Sequence, residues 1–216
     1  MPSFTDEALI LRSFVSGENH LHLHLLARER GRRNAFAISA KSSLKRYAGA
    51  LDPTSHIRAS FTVSRRQSGY RLDSAELIEP FLELRQNLGK AFLAAYYCEL
   101  LDALLVEGET YNDVFDLAIF FLNRLKNSTA NLKHRLFFEL RLLDLLGHRP
   151  DPEGHGATPV CQVMERCMDL PLDDLASLRI NTENLRQAAM ISRGHILQHV
   201  ERPLKSLDLL DRELSG

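Results

Sequence analysis

A small β-barrel followed by an α-helical domain is the fold this sequence predicts, which makes it an α+β chain. Three observations carry that reading. Up to Pro80 apolar and polar residues alternate in short runs, beyond it apolar residues recur at helical spacing, and the change happens once along 216 residues.

The barrel elements come first. Ala8–Val15 is a β-like run, and in the next one Leu21, Leu23 and Leu25 share a face. Ala35–Ala40 is the third. Ile57, Ala59, Phe61 and Val63 share a face of the fourth, and Tyr70–Leu77 is the fifth. Turn-forming stretches at Ser16–Asn19, Arg30–Arg32, Gly49–Pro53 and Gln67–Gly69 separate them. Five short strands in about 70 residues match the size of an OB-fold, a five-stranded barrel, and place a first domain at residues 1–80.

The helical domain, residues 81–216, follows. Leu84, Leu88, Phe92, Tyr96, Leu100 and Leu104 recur every fourth position and predict one long helix. Thr110 and Asp113 have the spacing of a capping box before a second helix carrying Tyr111, Val114, Phe115, Ala118, Ile119 and Leu122. A third spans Leu132–Leu146 and is stopped by Gly147. Three prolines and two glycines within residues 148–160 predict a loop, helices resume near Thr182, and a short one follows Pro203.

Net charge is close to neutral, with 27 Lys/Arg against 28 Asp/Glu, which excludes a uniformly basic coat. The distribution is uneven. Residues 1–75 hold 12 Lys/Arg and 6 Asp/Glu, whereas residues 76–216 hold 15 and 22. A basic front and an acidic back predict partners of opposite sign. The N-terminus lacks the basic and apolar regions of a secretory signal, and no apolar run nears the length of a membrane span, so a cytoplasmic protein that does not enter membranes is expected. The odd number of cysteines, Cys98, Cys161 and Cys167, then predicts reduced thiols. The phosphate-binding loop, the dinucleotide fingerprint, the zinc-protease helix and the nucleophile elbow are all missing, which lowers the standing of nucleotide hydrolysis, dinucleotide redox chemistry and the common hydrolases.

Basic residues gather at the predicted turns. Arg28, Arg30, Arg32 and Arg33 surround Gly31, Lys41, Lys45 and Arg46 follow the third strand, and Arg65 and Arg66 open the last hairpin just before Tyr70. Distributed cations of this kind neutralise phosphates and release condensed counterions. Tyr47 and Tyr70 offer flat surfaces on which bases stack. A competing pattern is His20-Leu21-His22-Leu23-His24, whose period of two puts three imidazoles on one strand face. That geometry suits a divalent metal and opens a second reading, a metal-dependent enzyme, although no accompanying carboxylate motif is present. A third reading is an OB-type RNA-binding module with a helical interaction domain. Cys161 and Cys167 stand six apart, with His148 and His155 upstream, a spacing irregular for zinc.

Together the motifs resemble a known family. Ala8-Leu-Ile-Leu-Arg12, Gly17-Glu18, Leu25-Leu-Ala-Arg-Glu-Arg-Gly31-Arg32, Gly49-Ala-Leu-Asp-Pro53 and Ala75-Glu-Leu-Ile-Glu-Pro80 are similar to the N-terminal barrel of the bacterial repair and recombination mediators of the RecO family. Phe138-Glu-Leu-Arg-Leu-Leu-Asp-Leu-Leu-Gly147 resembles the family's central helix and Arg202-Pro-Leu-Lys-Ser206 its C-terminal signature. Two departures stand out. The family usually has a basic residue and a glycine where this chain has Ile38 and Ser39, and two C-x2-C pairs where it has only Cys161 and Cys167, so the zinc-bearing insert near 148–170 is degenerate.

The resemblance implies a non-enzymatic, cytoplasmic and nucleoid-associated protein without a cofactor. It implies binding of single- and double-stranded DNA, annealing of complementary strands, and action with RecR and the acidic C-terminal tail of single-stranded DNA-binding protein to let RecA load. For that tail, which needs an apolar pocket rimmed by cations, the candidates are Lys133, Arg135 and Arg141 around the third helix, Arg193, Arg202 and Lys205 around the last one, and Phe137 or Leu204 in the groove.

Overall fold

The structure is a computed structural model, and it describes residues 3–47, 49–63, 69–150 and 158–215. Five strands, β1 (Ser3–Ser16), β2 (His20–Ala27), β3 (Gly31–Ala37), β4 (His56–Val63) and β5 (Tyr70–Glu79), close into a barrel in the order β1-β2-β3-β5-β4. All neighbours are antiparallel except β3 and β5, which run parallel. Closure depends on the length of β1. Its first part pairs with β4 and its second with β2, and an irregularity between Ile10 and Arg12 re-aims it from one to the other.

Alternation decides what fills the barrel. Ile10, Leu23, Leu25, Ile57, Phe61 and Leu72 point inward with the small residues Ala8, Ala27, Ala35, Ala37, Ala59 and Ala75, which a five-stranded bore requires. The single-turn helix α1 (Leu44–Tyr47) packs against this core. Tyr47, expected from sequence to offer a surface for bases, is instead 2% exposed and donates to the Leu72 carbonyl at 3.0 Å. An apolar ring is worth more filling the barrel than lying in water.

Six further helices follow: α2 (Leu88–Leu104), α3 (Asn112–Lys126), α4 (Leu132–Leu145), α5 (Pro159–Asp169), α6 (Thr182–His199) and α7 (Lys205–Ser215). The long first helix predicted from sequence is broken. Residues Leu82–Gln86 form a 3-10 turn, and Asn87 caps α2 by accepting from the Lys90 N–H. The every-fourth-residue stripe is also wrong in part, because Leu88 is 65% exposed while Leu93, Tyr97 and Leu101 are buried. A step of four advances about 40° beyond a full turn, so six such residues wind around the helix instead of facing one way.

The Thr110–Asp113 capping box does not form. Tyr111 occupies the N-cap of α3 without a side-chain cap, and its hydroxyl accepts from the Val106 N–H and donates to Glu109. Helix α4 ends as predicted at Gly147, with φ 72° and paired bonds from Gly147 N–H to the Asp144 carbonyl and from His148 N–H to the Leu143 carbonyl. Helix α5 lies where a loop was expected up to about residue 170. Thr158 caps it, Pro159 opens it, and Val160, Met164, Cys167 and Met168 face the core. His155 lies outside the described residues.

Besides the core inside the barrel, a second apolar core joins the two halves. Leu9, Leu11 and Leu26, on the outside of the barrel, belong to the same buried cluster as Tyr97, Phe121 and Phe138 of the helices. No helix among the described residues is long and apolar enough to cross a membrane.

Candidate nucleic-acid interface

The arginines around Gly31 divide by strand parity and by the turn that bears them. Arg32 faces the helical half. Its Nε and Nη2 donate to Asp102 Oδ1 at 3.1 and 2.9 Å, and its Nη1 lies 3.8 Å from Glu107. Arg28 pairs with Asp116 at 2.7 Å and lies over the Phe115 ring. Both cations therefore join barrel to helices.

Arg30 and Arg33 differ. Arg30 is exposed and lies over the Phe4 ring at 3.8 Å. Arg33 Nε donates to the Tyr70 hydroxyl at 3.2 Å and Nη2 donates to the Gly108 carbonyl at 2.9 Å. Phe4 and Tyr70 themselves meet edge to face at 4.9 Å, and Phe4 stacks on buried Phe61 at 5.3 Å. Strand pairing thus gathers two half-buried rings and two guanidinium groups at one end of the barrel. Tyr70 pairs with Val63, and Arg65 and Arg66 lie outside the described residues. Elsewhere, the exposed Arg46 donates to Ser43 Oγ and the Ile38 carbonyl and lies over Tyr47. The side chains of Lys41 and Lys45 are outside what the structure describes.

The three histidines of β2 take three separate partners. His20 Nδ1 accepts the Ser39 N–H at 2.9 Å, His22 stacks on Phe36 at 4.6 Å, and His24 Nδ1 donates to Asp102 at 2.8 Å. Among the described residues no three His, Cys, Asp or Glu groups are gathered as a metal ion needs. Burial pushes the Cys98 and Cys167 thiols up to about 12. The His20 contact also explains how the chain tolerates Ser39. That residue keeps a left-handed φ of 54°, as a glycine would, with its N–H anchored on the imidazole.

Asp102, near the end of α2, was not singled out from sequence. Its side chain is fully buried, yet Arg12, His24, Arg32 and Arg202 converge on it from β1, β2, β3 and the α6–α7 connection. Burial alone would raise this carboxyl. Hydrogen bonds from His24 and Arg202 and the charges of His24 and Arg32 outweigh it, and hold the group far below the usual carboxylate range.

The cations proposed for a partner tail also separate. Arg135 is 3% exposed and locked to Glu139 at 2.7 Å and to Asp211, while Glu139 further accepts from Tyr96 and Ser192. Arg141 donates to the Met168 and Leu170 carbonyls at the end of α5. The two point into the fold, because α4 is central and buried on several sides. Arg193 pairs with Asp211, and Arg202 is spent on Asp102. Lys205 remains exposed at the start of α7. Lys133, whose Nζ donates to the Leu178 carbonyl, and Phe137 line a cavity of about 640 Å³ between α3 and α4, together with Phe120, Arg124, Asn127 and His134.

Comparison with known proteins agrees with this architecture. Residues 1–81 match the family model for the recombination protein O N terminal, and residues 85–158 that for the recombination protein O C terminal. The chain is 30% identical to the DNA repair protein RecO of Desulforudis audaxviator, with 97% of each chain covered. It is 30% identical to that of Myxococcus xanthus, covering 97% of this chain and 98% of the relative. With the RecO of Desulfosudis oleivorans it shares 36% identity over 75% of this chain and 62% of the relative. The first of these alignments spans 244 positions, more than the 216 residues here, so the relative carries residues this chain lacks. A closed basic barrel, a helical half docked through Asp102, and these matches across both halves make the chain a member of the RecO family of DNA repair proteins.

Proposed function

We propose that this protein binds single- and double-stranded DNA through its barrel, anneals complementary strands without chemical catalysis, and acts with RecR and single-stranded DNA-binding protein to let RecA load. The observation that carries this reading is the barrel-end platform, in which exposed Arg30 lies over half-buried Phe4 and Arg33 bonds half-buried Tyr70, so that charge and aromatic surface meet in one place. Stacking tolerates every base and guanidinium groups track the backbone, so the platform suits DNA of any sequence. Two like-charged strands also need their phosphates neutralised before they pair.

The tail of single-stranded DNA-binding protein finds its best match in the α3–α4 cavity. Phe120 and Phe137 supply an apolar floor, and Arg124 supplies a rim cation for a terminal carboxylate.

The test is oligonucleotide binding across salt concentrations, paired with strand annealing in the presence and absence of single-stranded DNA-binding protein. With about five phosphates neutralised, the logarithmic salt slope on single strands is about −3 to −4. Arg30→Ala with Arg33→Ala weakens binding to all sequences alike, and a preference for matched RNA over DNA would turn the reading towards an RNA-binding module.

A further inference from the structure

Helix α6 leaves one stripe of side chains uncovered. Arg186, Met190, Arg193 and Leu197 follow at i, i+4, i+7 and i+11, the spacing of a single helical face, and all but the half-buried Arg193 are exposed. Met190 is 73% exposed, more than any other large apolar side chain among the described residues. Arg193 bonds Asp211 and lies 3.7 Å from Asp208, whereas Arg186 belongs to no ion pair among the described residues. An apolar side chain held between two guanidinium groups therefore projects from this helix.

A cavity of the opposite sign opens elsewhere on the helical half. It has a volume of about 380 Å³ and sits between α3, the end of α4 and the 3-10 turn at Leu172–Ala176. The larger cavity lies at the other end of the α3–α4 pair and shares only Phe120 with it. Leu117, Phe120, Leu145 and Leu172 make its walls apolar, and Asp113, Asp116 and Asp144 border them. Arg141, the one cation in the lining, has its guanidinium turned to the Met168 and Leu170 carbonyls. Asp116 is paired with Arg28 and Asp144 with Arg149, whereas the exposed Asp113 belongs to no ion pair among the described residues. An apolar pocket edged with carboxylates suits an apolar side chain flanked by cations.

We propose that this pocket takes the α6 stripe of a second copy of the chain, with Met190 seated against Leu145 and Leu172 and Arg186 meeting Asp113. Sign decides among the pairings open to two copies. Two stripes face to face would set Arg186 and Arg193 of one copy against those of the other, and two pockets would set aspartates against aspartates. Only pocket with stripe brings opposite charges together. Helix α4 packs on α3 by one side and on α6 by another, so no chain closes the contact on itself. The association is therefore head to tail, leaves a free pocket at one end and a free stripe at the other, and adds further copies the same way. One such assembly carries several barrels. Both patches are small, which places the contact among the weak, concentration-dependent ones.

The test is sedimentation velocity on the full chain, free of DNA, from micromolar to near-millimolar concentration. Species larger than one chain are expected to grow with concentration and to recede as salt rises. Met190→Glu and Leu145→Glu, both at exposed positions, are each expected to weaken association about tenfold or more. Mixed together they form one-to-one pairs and nothing longer, because the first keeps its pocket and the second its stripe. Asp113→Arg weakens association alike, and adding Arg186→Glu to it restores association. A wild-type chain that stays monomeric throughout would overturn the proposal and leave the pocket to a basic segment of another protein. Association unchanged in either Glu variant, or a mixture that does not pair, would overturn it as well. Circular dichroism reads the folding of each variant, and should one of the Glu variants fail to fold, the Asp113 and Arg186 variants decide.

Discussion

Asp102 gathers four partners distant in sequence, Arg12, His24, Arg32 and Arg202. Removing this buried carboxylate leaves those groups without their shared anion, so Asp102→Ala is expected to cost about 3–5 kcal/mol in urea unfolding. The pH dependence follows from its lowered pKa. A carboxyl depressed in the folded state stabilises above its unfolded pKa, and that contribution disappears as pH falls through the folded value. The gap between wild type and Asp102→Asn is therefore constant from neutral pH to about pH 4 and closes only below it. A gap that closed above about pH 5 would contradict this assignment. Ser39 gives a second residue-scale prediction. A left-handed serine costs about 1 kcal/mol against glycine, so Ser39→Gly raises thermal stability, provided the backbone bond to His20 is kept.

At the scale of elements, the close approach of β3 to the loop between α2 and α3 sets how the halves dock. A Cβ on Gly31 would fall 1.5 Å from the Glu109 carbonyl oxygen, and the residue's φ is +69°. Gly31→Ala is therefore expected to push this loop off the barrel and to lower stability by more than the ordinary left-handed penalty of about 1–2 kcal/mol, measurable as lost amide protection at 105–111. The strands were legible because period two, interrupted by turn residues, is a local signal that no distant contact needs to complete. Helix α5 was not read from the sequence, although Thr158 and Pro159 open it and Val160, Met164, Cys167 and Met168 recur at helical spacing, because the prolines and glycines just before it signal a loop.

For the molecule as a whole, the shared core makes barrel and helices one cooperative body. Leu9, Leu11 and Leu26 would be exposed if the barrel separated, a loss of about 1.5–3 kcal/mol for each side chain. A single unfolding transition is expected by calorimetry, with secondary and tertiary signals coincident. Two resolved transitions would contradict it. The charge asymmetry of the sequence survives folding in a modified form. Part of the barrel's positive charge is consumed at the junction by Asp102 and Asp116, and Arg30 and Arg33 stay beside Phe4 and Tyr70.

The sequence by itself determined five strands followed by helices, the stop at Gly147, the family resemblance and the excess of cations in the first 75 residues. Each of these is written in neighbouring residues, through side-chain alternation, turn chemistry or simple count. Only the tertiary structure decided which cations remain available. Arg32 and Arg33 are adjacent in the chain, yet one is bonded to Asp102 and the other to Tyr70, because neighbouring residues of a strand face opposite sides. Likewise Arg135 looked like a rim cation until α4 proved central and Glu139, one turn on, received it. The carboxylate that claims a given arginine lies as far as 100 residues away, and no local pattern specifies that meeting.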